Sequence, residues 1–119
     1  MTAAANASPD KSVPVIEDFV RNMLMAGEPD DKQNALISRL VPQPLALFTT
    51  PASTADFERL SVPKTVVFCR NDASLPPGAY LAMADGLGPH SLVELDGSHE
   101  ALFTNPSAVA GALLKALKE

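Results

Sequence analysis

The sequence predicts an α/β protein in which a few parallel strands are flanked by helices, with a more helical segment ahead of them. Three observations carry this. Thr65-Val66-Val67-Phe68-Cys69 is an unbroken β-branched and apolar run, the pattern of a strand covered on both faces. A second short run, Leu92, Val93 and Leu95, follows a helical stretch and a Gly88-Pro89 break. A further helix closes the chain, and the order strand–helix–strand–helix implies parallel strands joined by a right-handed crossover.

Taken in order, residues 1–12 are small and polar and predict a mobile tail. Residues 13–60 are expected to form a mainly helical segment. From Pro14 onward, Ile16, Phe19, Val20, Met23 and Leu24 fall on one helical face, and Glu17 and Asp18 sit in the first turn, where the helix dipole favours negative charge. Gly27 is a C-terminal stop. A second helix starts at Asp30, whose side chain can cap it, with Gln33 placed for a capping box. Leu36, Ile37 and Leu40 give its apolar face, and Pro42 ends it. Residues 42–51 are apolar yet broken by proline, and fit either a short helical turn over a cavity or an ordinary packed loop.

Residues 61–119 form the α/β portion. Between its strands a helix is predicted from Pro77 to about Gly86, with Tyr80, Leu81 and Ala84 at helical spacing. The last helix has a clear start in Asn105 as N-cap and Pro106 at the first helical position. Val109, Leu113, Ala116 and Leu117 supply its expected buried stripe, and Lys115 and Lys118 suit its C-terminal end. Two parallel strands are too few to make a sheet, because each misses a neighbour on at least one side. Other strands are therefore expected from a longer chain, or from two copies pairing their edges.

Composition narrows the function classes. The 119 residues carry a net charge of −5 and no lysine or arginine cluster, which argues against nucleic acid as partner. At 46% hydrophobic and 19% charged, the chain is not globally disordered. No apolar run is long enough to cross a bilayer, and residues 1–8 lack the charged and apolar regions of a signal peptide, so a soluble, cytoplasmic protein without a membrane partner is expected. The single cysteine, Cys69, lies inside the first strand and reads as a small buried hydrophobe. Two histidines and one cysteine show no metal-ligand spacing, and no glycine loop for phosphate is present, so neither metal nor cofactor is expected.

The chemistry concentrates in two residues. Asp72 closes the first strand and His99 follows the second, in Asp96-Gly97-Ser98-His99. Neighbouring parallel strands end along one edge of a sheet, so the loops leaving them can bring acid and imidazole within hydrogen-bonding range. A histidine so held is a general base. The residues equally allow Asp72 to cap its own turn while His99 is solvated. Asp96 competes for the acid role, although Asp96-Gly97 suits a tight turn. Ser98 has no elbow to present it as a nucleophile, and His90 lies at the far end of the second strand. The glycines at 27, 78, 86, 88, 97 and 111 include no pair four apart, so the chain holds no Gly-x-Ser-x-Gly.

Residues from about 40 to 119 resemble the C-terminal half of the α/β-hydrolases that include plant methyl esterases, hydroxynitrile lyases and bacterial esterase relatives. Leu40-Val41-Pro42-Gln43-Pro44-Leu45, Val62-Pro63-Lys64, Asn71-Asp72 with Leu75-Pro76, Asp96-Gly97-Ser98-His99 and the Asn105-Pro106 helix entry carry the resemblance, and residues 13–40 look more loosely like that family's cap. The resemblance implies Asp72 as triad acid and His99 as triad base, with the serine and oxyanion hole in an N-terminal half. Lyases of this family place a lysine directly after the histidine. Glu100 stands there, which implies an ester-hydrolysing ancestry. The chain is then expected to be inactive alone. Its expected partners are a small-molecule ester in the complete enzyme, and either a complementing N-terminal half or a second copy. The alternative is a non-catalytic self-associating or binding module derived from a hydrolase.

Overall fold

The structure, a computed structural model, describes residues 2–118; residues 1 and 119, at the ends of the spans drawn above, lie outside the described residues. The segment expected as a mobile tail carries structure instead. Helix α1 (Thr2–Asn6) buries Ala5. Strand β1 (Ser12–Val13) pairs antiparallel with β2 (Gln43–Pro44). Between α1 and β1, Asp10 Oδ1 accepts from the hydroxyls of Ser8 and Ser12, at 2.6 and 2.7 Å.

The first amphipathic helix starts later than its pattern suggests, because Ile16 is still extended. Helix α2 (Glu17–Phe19) passes directly into a π-helical stretch, Val20–Leu24. The wider turn lets Met25 N–H donate to Val20 O at 2.8 Å and places Met25, Val20 and Leu36 in one buried cluster. Gly27, at φ +80°, turns the chain as expected. Helix α3 (Asp30–Ile37) has Pro29, not Asp30, at its N-cap position, and no side chain caps it. Displaced from the capping box by one position, Gln33 turns inward: its amide donates to Met25 O at 3.0 Å and its oxygen accepts from Arg21 at 3.1 Å. Of the two arrangements open for residues 42–51, the helical one forms, as β2 followed by α4 (Ala46–Thr49). A single exposed turn, α5 (Ala55–Glu58), leads to the second portion.

There β3 (Thr65–Cys69), α6 (Ala79–Asp85), β4 (Ser91–Leu95), α7 (Ala101–Thr104) and α8 (Pro106–Ala116) follow in turn. The two strands pair in parallel, from Thr65 opposite Ser91 to Cys69 opposite Leu95. Strand β3 is half-buried along its whole length, short of the full cover its apolar run suggests, because only one neighbouring strand pairs with it. The core beneath α8 joins Val93, Leu95, Ala101 and Ala112, with Val67, Cys69 and Val109 against it. Asn105 caps α8 as expected, accepting from Ala108 N–H. The buried stripe of α8 differs. Val109 and Ala116 pack inward, but Leu113 and Leu117 are 53% and 83% exposed. A narrow two-stranded floor takes the alanine face of the helix and leaves its larger leucines outside.

Candidate active site

Pairing between the strands continues past their ends. Arg70 N–H donates to Leu95 O at 2.9 Å and Asn71 N–H to Gly97 O at 3.1 Å, so the two loops leave the sheet side by side. Gly97 lets its loop fold tightly against the start of α7: a Cβ there would lie 2.8 Å from the Cβ of Ala101. The glycine is thus required by close approach rather than by positive φ, which corrects the turn argument for Asp96-Gly97.

The geometry brings Asp72 and His99 together, with Asp72 Oδ2 2.8 Å from His99 Nδ1. The carboxylate side chain is 9% exposed and the imidazole 40%. Asp72 also caps its own turn, because its other oxygen, Oδ1, accepts from Ser74 N–H at 2.9 Å and from the Ser74 hydroxyl at 2.7 Å. The two arrangements weighed from sequence therefore coexist, one on each carboxylate oxygen. Burial works against the Asp72 charge, but the Ser74 hydroxyl, the Ser74 N–H and His99 outweigh it and hold the carboxyl below its usual range. A carboxylate only accepts, so Nδ1 of neutral His99 carries the proton and Nε2 keeps its lone pair. Among the described residues no hydrogen bond engages Nε2.

The other sequence candidates are placed elsewhere. Asp96 pairs with Arg70 at 2.7 Å and is largely exposed. Ser98 is 2% exposed and donates to Glu28 Oε1 at 2.9 Å, a structural role. His90 precedes β4 and contacts Gly88 O through Nδ1, a strand's length (about 16 Å) from His99. Cys69 packs against the core; burial, and then the charge of Asp72, push its thiol up. Among the described residues no group of three or more His, Cys, Asp or Glu is placed to hold a metal ion. No helix among them is long and apolar enough to cross a membrane.

His99 lines an apolar cleft of about 570 Å³ whose other walls include Phe19, Leu24, Val41, Phe48 and Met83. The cap-like segment is anchored over the histidine loop by Glu28, which accepts from both Ser98 and Thr104 (2.9 and 2.8 Å), and by Lys32, which donates to Thr104 O at 2.6 Å. Sequence reasoning missed Glu28, Ser74 and Tyr80 as members of this site. Asp72-Ala73-Ser74 has the spacing of an Asx turn, a signal that could have found Ser74. Tyr80 was read only for its helical spacing, and nothing local marks Glu28.

No family model matches the chain. Over 84 residues the chain is 32% identical to "Alpha/beta hydrolase nvfD" of Aspergillus novofumigatus, a match covering 70% of this chain and 33% of that protein. Among solved structures, an extracellular α/β-hydrolase from a Paenibacillus species superposes with a TM-score of 0.87 at 20% identity, over 96% of this chain and 49% of the other. That protein is described as sharing structural and functional homology with Tobacco Salicylic Acid Binding Protein 2. The chain thus spans between a third and a half of the length of these relatives. Sequence and architecture together show a chain similar to the α/β-hydrolase superfamily, with a partial α/β-hydrolase fold.

Proposed function

We propose that the chain is the acid- and base-bearing portion of an α/β-hydrolase acting on carboxylic esters. The observation that supports this most is the 2.8 Å bond from His99 Nδ1 to a carboxylate that Ser74 also holds, beside an apolar cleft. The chain contains no Gly-x-Ser-x-Gly, so the serine is supplied by another portion of the enzyme. His99 Nε2 takes the serine proton as the oxygen attacks the acyl carbon, and Asp72 stabilises the imidazolium that forms. The same proton then passes to the departing alcohol, and water releases the acid by the reverse sequence.

Apart from His99, the side chains lining the cleft are uncharged, which suits an ester with apolar acyl and alcohol groups. Glu100, directly after the base, would oppose an anionic leaving group such as cyanide and favours ester hydrolysis over cyanohydrin cleavage. Cytoplasmic residence belongs to the same proposal; the Paenibacillus neighbour is described as extracellular. The isolated chain is expected neither to hydrolyse p-nitrophenyl esters nor to be labelled by a fluorophosphonate. Stoichiometric labelling of one of its own serines would overturn the assignment of the nucleophile to another portion.

A second reading is favoured by a separate observation, the exposure of Leu113, Leu114 and Leu117 along α8. On this reading the chain is a non-catalytic module that self-associates or pairs with a complementing half. Light scattering after size exclusion separates the two. A strict monomer at high concentration argues against self-association.

A further inference from the structure

Ser74 and Tyr80 form a hydrogen-bonded chain behind the Asp72–His99 pair, and its proton count is informative. The Ser74 hydroxyl has one hydrogen and three partners: Asp72 Oδ1 at 2.7 Å, the Tyr80 hydroxyl at 2.6 Å and His99 Nδ1 at 3.1 Å. The carboxylate oxygen can only accept, so the Ser74 hydrogen goes there. Tyr80 must then donate to Ser74, because otherwise two oxygen lone pairs would face each other at 2.6 Å. One Ser74 lone pair receives the tyrosine proton, and the remaining one faces His99 Nδ1. A lone pair in that position attracts a protonated Nδ1 and repels an unprotonated one.

We propose that Ser74 and Tyr80 are positioning residues that set the tautomer of His99, keeping the proton on Nδ1 and the lone pair on Nε2. The proposal rests on the reading of His99 as the base. Asp72 supplies the acceptor for Nδ1–H; Ser74 fixes the carboxylate's rotation through its N–H and hydroxyl and adds a second acceptor beside Nδ1. Tyr80 reaches the loop from helix α6, where its ring lies against Phe68 of β3 with centroids 6.4 Å apart. Sheet, crossover helix and acid loop are thereby tied to one hydroxyl. Free imidazole in water prefers the opposite tautomer, so without these contacts the proton drifts to Nε2 and the base is lost.

The test uses the chain as it stands, labelled with ¹⁵N-histidine, and reads the tautomer from ring-nitrogen shifts above the imidazole's titration range. His90, whose Nδ1 contacts Gly88 O away from the site, is the internal control for folding. Wild type is expected to show His99 as the Nδ1–H form. Ser74→Ala should lower the Nδ1–H to Nε2–H ratio about fivefold, the loss of one ordinary hydrogen bond. Tyr80→Phe, which removes both the donor to Ser74 and a hydroxyl 3.4 Å from Nδ1, should shift it in the same direction by less. Ser74→Thr, which retains the hydroxyl, should keep the wild-type ratio.

A wild-type chain showing Nε2–H overturns the reading of His99 as the base, and this proposal with it. A wild-type Nδ1–H form that neither Ser74→Ala nor Tyr80→Phe alters overturns this proposal alone. If the His90 signals reveal that Ser74→Ala is unfolded, the Tyr80→Phe and Ser74→Thr pair decides. An unchanged ratio in Tyr80→Phe overturns the proposal, and a fall there beside a preserved ratio in Ser74→Thr supports it.

Discussion

Glu28 offers the sharpest test of how the cap-like segment and the histidine loop are joined. Its Oε1 receives the hydroxyls of Ser98 and Thr104, which are 2% and 6% exposed. Glu28→Ala removes the acceptor and leaves both hydroxyls without a partner and shielded from water. An unsatisfied buried hydroxyl costs about 1–3 kcal/mol, so the pair should cost about 2–4 kcal/mol after partial relaxation. Against a total stability of about 5–15 kcal/mol this is a large loss. Glu28→Gln keeps an acceptor oxygen in place and should cost about 1 kcal/mol, the charge-assisted share of the bonds. Urea unfolding of the two variants measures both numbers, and hydrogen exchange at Ala101 and Asn105 locates the loosening. A Glu28→Ala chain within about 0.5 kcal/mol of wild type, the range of a neutral surface change, would refute the claim that this carboxylate anchors the loop.

Three further outcomes follow from the same contacts. The Asp72 carboxyl lies below its usual range in the fold, so its contribution to stability is complete above the unfolded value of about 3.9 and drains as pH falls through the folded one; unfolding free energies from pH 6 to 2 should fall more steeply for wild type than for Asp72→Asn. Gly97→Ala forces a Cβ to 2.8 Å from Ala101 Cβ and should destabilise by about 1–3 kcal/mol in the same unfolding assay, whereas Gly111→Ala, with open space around it, should not. Asn105→Ala removes the cap of α8 and should lower stability by about 1 kcal/mol, read as a lowered urea midpoint without a change in slope.

The part of the fold legible in the sequence is the part governed by local rules. The β-branched run at Thr65–Cys69 and the Asn105-Pro106 helix start act within a few residues, and both form as read. Asp72 and His99 could be paired because parallel strands deliver their C-terminal loops to one edge, a topological consequence of strand order. What was misread depends on partners distant in sequence. Residues 1–12 look like a tail because their polar, small side chains show no period, yet β1 finds β2 some thirty residues on. Gln33 looked like half of a capping box until the carbonyl of Met25, exposed by the π-helical turn, drew it inward. The α8 stripe was right at Val109 and Ala116 but wrong at Leu113 and Leu117, which read as core by hydrophobicity alone, while the small Ala112 sits where the helix meets β4. Glu28 bonds across 70 and 76 residues, and no local pattern announces it.

The most direct measurement is ester hydrolysis by a chimera in which this chain replaces the matching half of the Paenibacillus hydrolase, whose other half supplies the serine on the proposed reading. Turnover of a p-nitrophenyl ester is expected, falling by about 10⁴-fold in Asp72→Asn and by at least as much in His99→Ala, as for members of a catalytic triad. A folded chimera without activity, or one whose activity survives the loss of His99, would contradict the account.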